Sequence, residues 1–190
     1  GSRGLGDVYK RQFLSCMKMS DAAVAELCDY FTNLYETTGR KVVVALAGDH
    51  APSFVAHVAD PSIAPENELQ ILERSTPFFI WANYPLENID AATSTTDPLN
   101  RMDMVMLAPT IAQQAGLPLS TYYQYLLEMK QVTPVITGAN DYMTPDGHTA
   151  TFGTDTMLDQ WVHGYLNLEY NNVGAHAKRD QSLFDAQPAQ

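Results

Sequence analysis

Lys41-Val-Val-Val-Ala-Leu-Ala-Gly-Asp-His50 is the stretch on which the fold turns. Its apolar run, 42–47, ends abruptly in Gly48. An acid and an imidazole follow side by side, then Ala51 and Pro52. A valine-rich run of this length, bounded by turn residues, reads as a strand buried on both faces, as in a parallel sheet. In open α/β sheets, ligands sit just beyond the carboxyl ends of the strands. Asp49 and His50 occupy that position, and the expected class is α/β.

Upstream, Ser20 suits a helix N-cap and Asp21 its positive end. Val24, Leu27, Cys28, Phe31 and Leu34 recur at helical spacing, and Gly39 is a natural stop. The spacing predicts a helix over 21–37 that feeds the strand. Helix, turn and buried strand form half of a βαβ unit, which calls for an earlier parallel strand. None is visible before residue 13. Residues 1–12, GSRGLGDVYKRQ, carry three glycines and three cations without an apolar period. They read as a vector or read-end scar and are expected to be disordered.

Downstream, 52–65 is irregular and 66–73 could form a short helix. Thr76-Pro-Phe-Phe-Ile-Trp-Ala-Asn-Tyr84 reads as a second buried strand, with Pro77 at its first position. The connection is long enough for parallel pairing with 42–47. Polar residues 89–100 read as a surface loop. Asp103 is expected to cap a helix carrying Val105, Met106, Leu107, Ile111 and Ala112, ended by Gly116. Ser120 caps another, Thr121 to Gln131, closed before Pro134. Residues 139–156 read as a turn-rich loop. A last helix, about Met157 to Tyr170, presents Leu158, Trp161, Val162, Tyr165, Leu166 and Leu168 as its apolar face. The tail beyond Lys178 is expected to fray, with 185–190 disordered. No linker divides 13–184, which reads as one domain.

Composition narrows the partners. The 190 residues are 45% hydrophobic, enough for a sizeable core. Twenty-two acids against 11 Lys plus Arg give a net charge of -11. That argues against nucleic acid, whose phosphates need clustered cations, and against adhesion to an anionic membrane surface. Cys16 and Cys28, on one helix, stand about 18 Å apart, too far for a disulfide. No run reaches the roughly 18 apolar residues of a membrane span, and no signal peptide is visible.

Gly48-Asp49-His50 is the candidate site. A carboxylate beside a neutral imidazole suits Zn²⁺ or Mn²⁺. The other reading is an Asp–His pair in a turn, the acid capping backbone N–H groups and the imidazole exposed. His57, near in sequence, could join the site. His148 and His163 read as loop and surface residues, and His176 has no motif around it. Asp155 and Asp159 read as a cap and a solvated helix face. Ser53 lacks a nucleophile elbow, and Thr93, Thr95 and Thr96 have no adjacent base. There is no P-loop and no GxGxxG. Tyr122, Tyr123 and Tyr125 read as packing rather than a sugar platform.

Several blocks together resemble a known family. The helix Phe13 to Phe31 is similar to the one preceding the metal strand of the lipoteichoic acid synthase family. These are phosphoglycerol transferases of the sulfatase and alkaline phosphatase superfamily. Gly48-Asp49-His50 matches the family's GDH motif. Thr76-Pro-Phe-Phe-Ile-Trp-Ala-Asn83, Ala115-Gly-Leu-Pro-Leu-Ser120, Tyr123-Gln-Tyr-Leu-Leu127 and Glu169-Tyr-Asn-Asn172 also resemble family segments, in order, over about 13–184. Ala51-Pro-Ser-Phe54 departs from the better-known synthases.

The resemblance implies an alkaline phosphatase/sulfatase-like sandwich with a mostly parallel central sheet. It implies Asp49 and His50 as metal ligands for Mn²⁺, with Zn²⁺ or Mg²⁺ as alternatives. The family's threonine nucleophile, glutamate ligand and phosphate-contacting histidine precede this region and find no counterpart. The expectation is therefore the carboxyl-terminal part of an extracellular catalytic domain, its amino-terminal part missing and its membrane anchor with it. The substrate would be a glycerophosphate-bearing lipid or glycan. Alone, the chain is expected to be inactive. The competing expectations are a non-catalytic extracellular binding module on the same fold and a metal-independent structural domain.

Overall fold

The computed structural model describes residues 3–50, 71, 74–86, 101–136, 141–144, 146, 147, 149–174 and 178–187, with side chains from Val8 onward. The chain is mixed α and β and divides into two compact units. One comprises Gly1–Val44 with Ile80–Pro85, the other Ala45–Phe79 with Leu86–Gln190.

The first unit is dominated by helix α1, Arg3–Thr38. It begins well before Ser20, so the expected cap lies in mid-helix. From Val8 to Ser20 the chain has no proline and many good helix formers (Lys10, Arg11, Gln12, Leu14, Met17, Lys18), so nothing stops the helix there. The expectation of disorder over 1–12 is corrected for the helical residues from Arg3 onward. Gly39 ends the helix as predicted: its φ is 71°, and its N–H donates to the Tyr35 carbonyl at 2.8 Å. Asn83 then ties the helix end to the strands. Its Nδ2 donates to the carbonyls of Phe31 (2.8 Å) and Arg40 (3.0 Å), and its Oδ1 accepts from the Val42 N–H at 2.8 Å. The Lys41 ammonium lies 4.9 Å from the centre of the Tyr84 ring.

Strands β1 (Val43–Ala47) and β2 (Phe78–Ala82) pair as a two-stranded sheet. The 42–47 and 77–83 segments are thus neighbours as expected, but their direction corrects the parallel reading. Gly48 N–H donates to the Pro77 carbonyl at 3.0 Å, and Asn83 N–H donates to the Val42 carbonyl at 3.1 Å. Residue numbers rise on one strand as they fall on the other, so the pair is antiparallel. Nor is β1 buried on both faces: Leu46 is 41% exposed. Among the described residues the ribbon has no further strand partner.

The second unit holds the core. Asp103 caps a 3-10 turn, Met104–Met106, by accepting from the Val105 N–H, and α2 (Leu107–Gln114) continues it. At its end Gly116 has φ 68°, with Gly116 N–H donating to Gln113 and Leu117 N–H to Ala112. These are the two bonds of a Schellman stop, which needs a residue tolerant of positive φ. Ser120 caps α3 (Thr121–Val132) by accepting from the Tyr123 N–H at 3.1 Å.

The turn-rich loop expected over 139–156 is instead part of a sheet. β3 (Val135–Ile136), β4 (Asp141–Met143) and β5 (Thr149–Thr151) form an antiparallel meander, with Val135 opposite Met143 and Tyr142 opposite Ala150. The strands are only two or three residues long, too short for a visible alternation. Tyr142 and Met143 are nonetheless buried. Helix α4 (Thr156–Glu169) is capped by Asp155 and runs on as a π turn, Tyr170–Gly174.

Met106, Tyr122, Leu126 and Met129 form one buried cluster, against which Trp161, Tyr165, Leu168 and Phe184 pack. Tyr142, Leu158 and Val162 form another. Each such buried side chain contributes roughly 1.5–3 kcal/mol. Leu166, expected on this face, is 52% exposed, because the helical turn carries it past the edge of the buried stripe. The tail, expected to fray, is tied back through Gln187: Ser120 bridges Ala186, and Gln187 N–H donates to the Leu119 carbonyl at 3.1 Å. Cys16 and Cys28 are free thiols. Among the described residues, no helix is long and apolar enough to cross a membrane.

Candidate functional site

The candidate site stands at the end of β1, and Gly48 is its base. A Cβ there would lie 2.9 Å from the Cβ of Thr76, so a side chain would force the two apart. Without one, the Thr76 hydroxyl donates to the Gly48 carbonyl at 2.9 Å. The next two side chains project into solvent, Asp49 88% and His50 79% exposed. Asp49 Oδ1 accepts from the His50 N–H at 2.9 Å. Asp49 Oδ2 lies 3.4 Å from His50 Nε2.

One carboxylate oxygen is therefore anchored by the backbone, and the other faces the ring nitrogen. Two donors bound to one ion at about 2.1 Å in tetrahedral geometry stand about 3.4 Å apart, the separation seen between Oδ2 and Nε2. Structural and catalytic zinc sites add at least a third protein donor. Among the described residues, no group of three His, Cys, Asp or Glu side chains is so placed. The same contact also serves the other reading, an exposed ion pair within a turn.

The remaining sequence candidates sort plainly. His57, His148, His176, Ser53, Thr93, Thr95 and Thr96 lie outside the described residues. His163 is exposed and meets Phe152 edge-on, with centroids 4.9 Å apart. Asp155 is the cap it was expected to be, accepting from the Met157 and Leu158 N–H groups. Asp159 corrects the expectation of a solvated face: both its oxygens accept from the Gly153 N–H at 3.0 Å, closing the turn before α4. Tyr122 donates to Glu169 and packs on Phe184, and Tyr125 donates to the Trp161 carbonyl at 2.6 Å. These are packing roles. Burial, then the nearby Glu169 carboxylate, pushes the Tyr122 phenol far above its ordinary range. Burial, then Glu169 and Asp103, pushes Tyr165 up to about 12.

One cavity of the second unit was not anticipated. It encloses about 320 Å³ between apolar walls that include Phe78, Leu107 and Ile136, and Arg74 and Arg101 also line it. Ala47 and Thr76 belong to the same lining, so it borders the Gly48 turn. Its residues come from separate stretches of the chain, and no local pattern announces it. Asp103, also in the lining, is held above the usual carboxylate range by burial, against the lowering effect of its backbone hydrogen bonds. No protein-family profile, curated protein or solved structure matches the chain.

Proposed function

We propose that Asp49 and His50 supply two donors to a divalent-cation site, Mn²⁺ by preference and Zn²⁺ or Mg²⁺ otherwise. The observation that carries this is the 3.4 Å separation of Oδ2 and Nε2 at a strand end. The Thr76–Gly48 bond fixes the backbone beneath the pair, and the His50 N–H fixes one carboxylate oxygen, with the other oxygen and the ring nitrogen facing each other. When bound, the cation would polarise a phosphoryl oxygen and lower the pKa of an attacking hydroxyl.

The motif blocks described above support a reaction class: phosphoglycerol transfer or sulfatase-like hydrolysis on cell-surface glycerophosphate. In that reading the chain is part of an extracellular, membrane-anchored domain of the sulfatase-like sandwich type. The nucleophilic threonine and the further metal donors come from other residues of the domain.

Titration with Mn²⁺, followed by paramagnetic broadening of histidine NMR signals, tests the site. His50 should broaden first, and Asp49→Ala should weaken that response about tenfold. Equal broadening of His50 in the variant, or general broadening at acidic surfaces with His50 spared, would remove the metal assignment. In parallel, the chain alone should release no glycerophosphate from a model lipid.

A further inference from the structure

The cavity beside the Gly48 turn has a lining of mixed character. Its walls are apolar, contributed by Phe78, Leu107 and Ile136 among others, and Arg74 and Arg101 carry positive charge to it. The chain as a whole has twice as many acids as cations, 22 against 11. Among the described lining residues the ratio is reversed: Arg74 and Arg101 stand against Asp103, whose carboxylate is engaged in capping the Met104 turn. The hydroxyls of Ser75 and Thr76 donate to the Ile71 and Gly48 carbonyls, which leaves their oxygens as acceptors. A guanidinium offers five N–H donors in a planar fork that matches a carboxylate or phosphate, and it does so even while it holds another partner. At about 320 Å³ the space lies at the small end of ligand pockets.

We infer that this cavity binds a small amphiphilic anion: a carboxylate or phosphate head at Arg74 and Arg101, and a short aliphatic body against Phe78, Leu107 and Ile136. Recognition needs both halves. The head alone meets arginines that water also solvates, and the body alone leaves the positive charge unanswered. The site does not rest on the cation reading of Asp49 and His50.

Isothermal titration of the full chain in EDTA, with octanoate and octyl phosphate as probes, tests this separately from any metal. Inorganic phosphate and octanol serve as the head-only and body-only controls. At least one amphiphile should saturate at one site, at least tenfold tighter than either control, and the better of the two identifies the head group. Arg101→Gln and Arg74→Gln should each weaken it about tenfold. Met104, which lines the cavity and is 55% exposed, can change without loss of core packing. Met104→Glu should therefore reduce affinity at least tenfold and Met104→Lys should raise it. Binding that is equal for octanol, indifferent to both arginine variants and to the sign of the charge at 104, or absent for both amphiphiles, would overturn the proposal.

Discussion

Helices α1 and α3 show two ways of being a helix. α1 has 36 residues, and none of its side chains from Val8 to Thr38 is buried. α3 has 12 residues and buries Tyr122, Leu126, Leu127 and Met129. From Val8 onward the long helix follows from local propensity, with no glycine or proline to stop it before Gly39. The short one is defined at its start by the Ser120 cap and held along its length by packing. Length and stability contribution are thus uncoupled.

The sharpest way to break this contrast is a pair of truncations. Leu126→Ala, at a side chain 1% exposed, should destabilise the second unit by about 3 kcal/mol. Leu27→Ala, at 41% exposure on α1, should change stability by less than about 0.5 kcal/mol. Urea unfolding curves would show a shifted midpoint for the first and near-superposition for the second. Equal shifts would mean that α1 carries buried load after all.

Gly164→Ala asks whether packing or propensity rules on α4. A Cβ at 164 would fall 2.1 Å from the Tyr125 hydroxyl oxygen, which is fixed by its bond to the Trp161 carbonyl. The roughly 1 kcal/mol gain in helix propensity should be outweighed, for a net loss of about 2 kcal/mol. Adding Tyr125→Phe should recover part of it, read as a partial return of the melting temperature.

For α1 the corresponding anchor is a single side chain. Asn83→Ala removes three hydrogen bonds and should destabilise the first unit by about 2 kcal/mol. Asn83→Asp keeps the acceptor for Val42 but sets a carboxylate oxygen against the Phe31 and Arg40 carbonyls, and should be at least as destabilising. Amide exchange near Phe31 and Val42 is the measurement, and no change there would assign α1's C-terminal end to other contacts.

The smallest effect concerns pH. Tyr165 is pushed up to about 12, chiefly by burial, from an unfolded value near 10. The neutral phenol is favoured in the fold, so its contribution is complete below pH 10 and is lost as pH rises from 10 toward 12. Tyr165→Phe should flatten part of the stability decline in that window. An unchanged slope would locate the alkaline loss elsewhere.

Legibility followed the range of the interactions. Asp103, Ser120, Asp155, Gly39 and Gly116 act within a few residues, and their local chemistry announced them. The β1–β2 direction depends on residues some 30 to 40 positions apart, and an apolar run carries no sign of its partner's sense. β3 to β5 were too short to show a period, and Leu166 fell on the right stripe but the wrong edge of it. At the candidate site, the Asp49–His50 pair was legible because its members are adjacent. The role of Thr76 beneath it and the cavity lined by Arg74 and Arg101 were not, because tertiary structure alone brings those stretches together.

The Gly147 turn of the meander has a consequence for the order in which the chain organises. Gly147 N–H bonds to the Thr144 carbonyl, so β4 and β5 are joined across a handful of residues. The β1–β2 ribbon must instead bring Gly48 to Thr76, 28 residues away, and Val42 to Asn83, 41 away. Loop-closure entropy rises by about 0.6 kcal/mol per doubling of the loop, so the ribbon is the costlier closure. Tight hairpins close in about 1–10 μs. The strand end that carries Asp49 and His50 thus depends on the costlier kind of pairing, and loop closure predicts that the candidate site assembles after the meander.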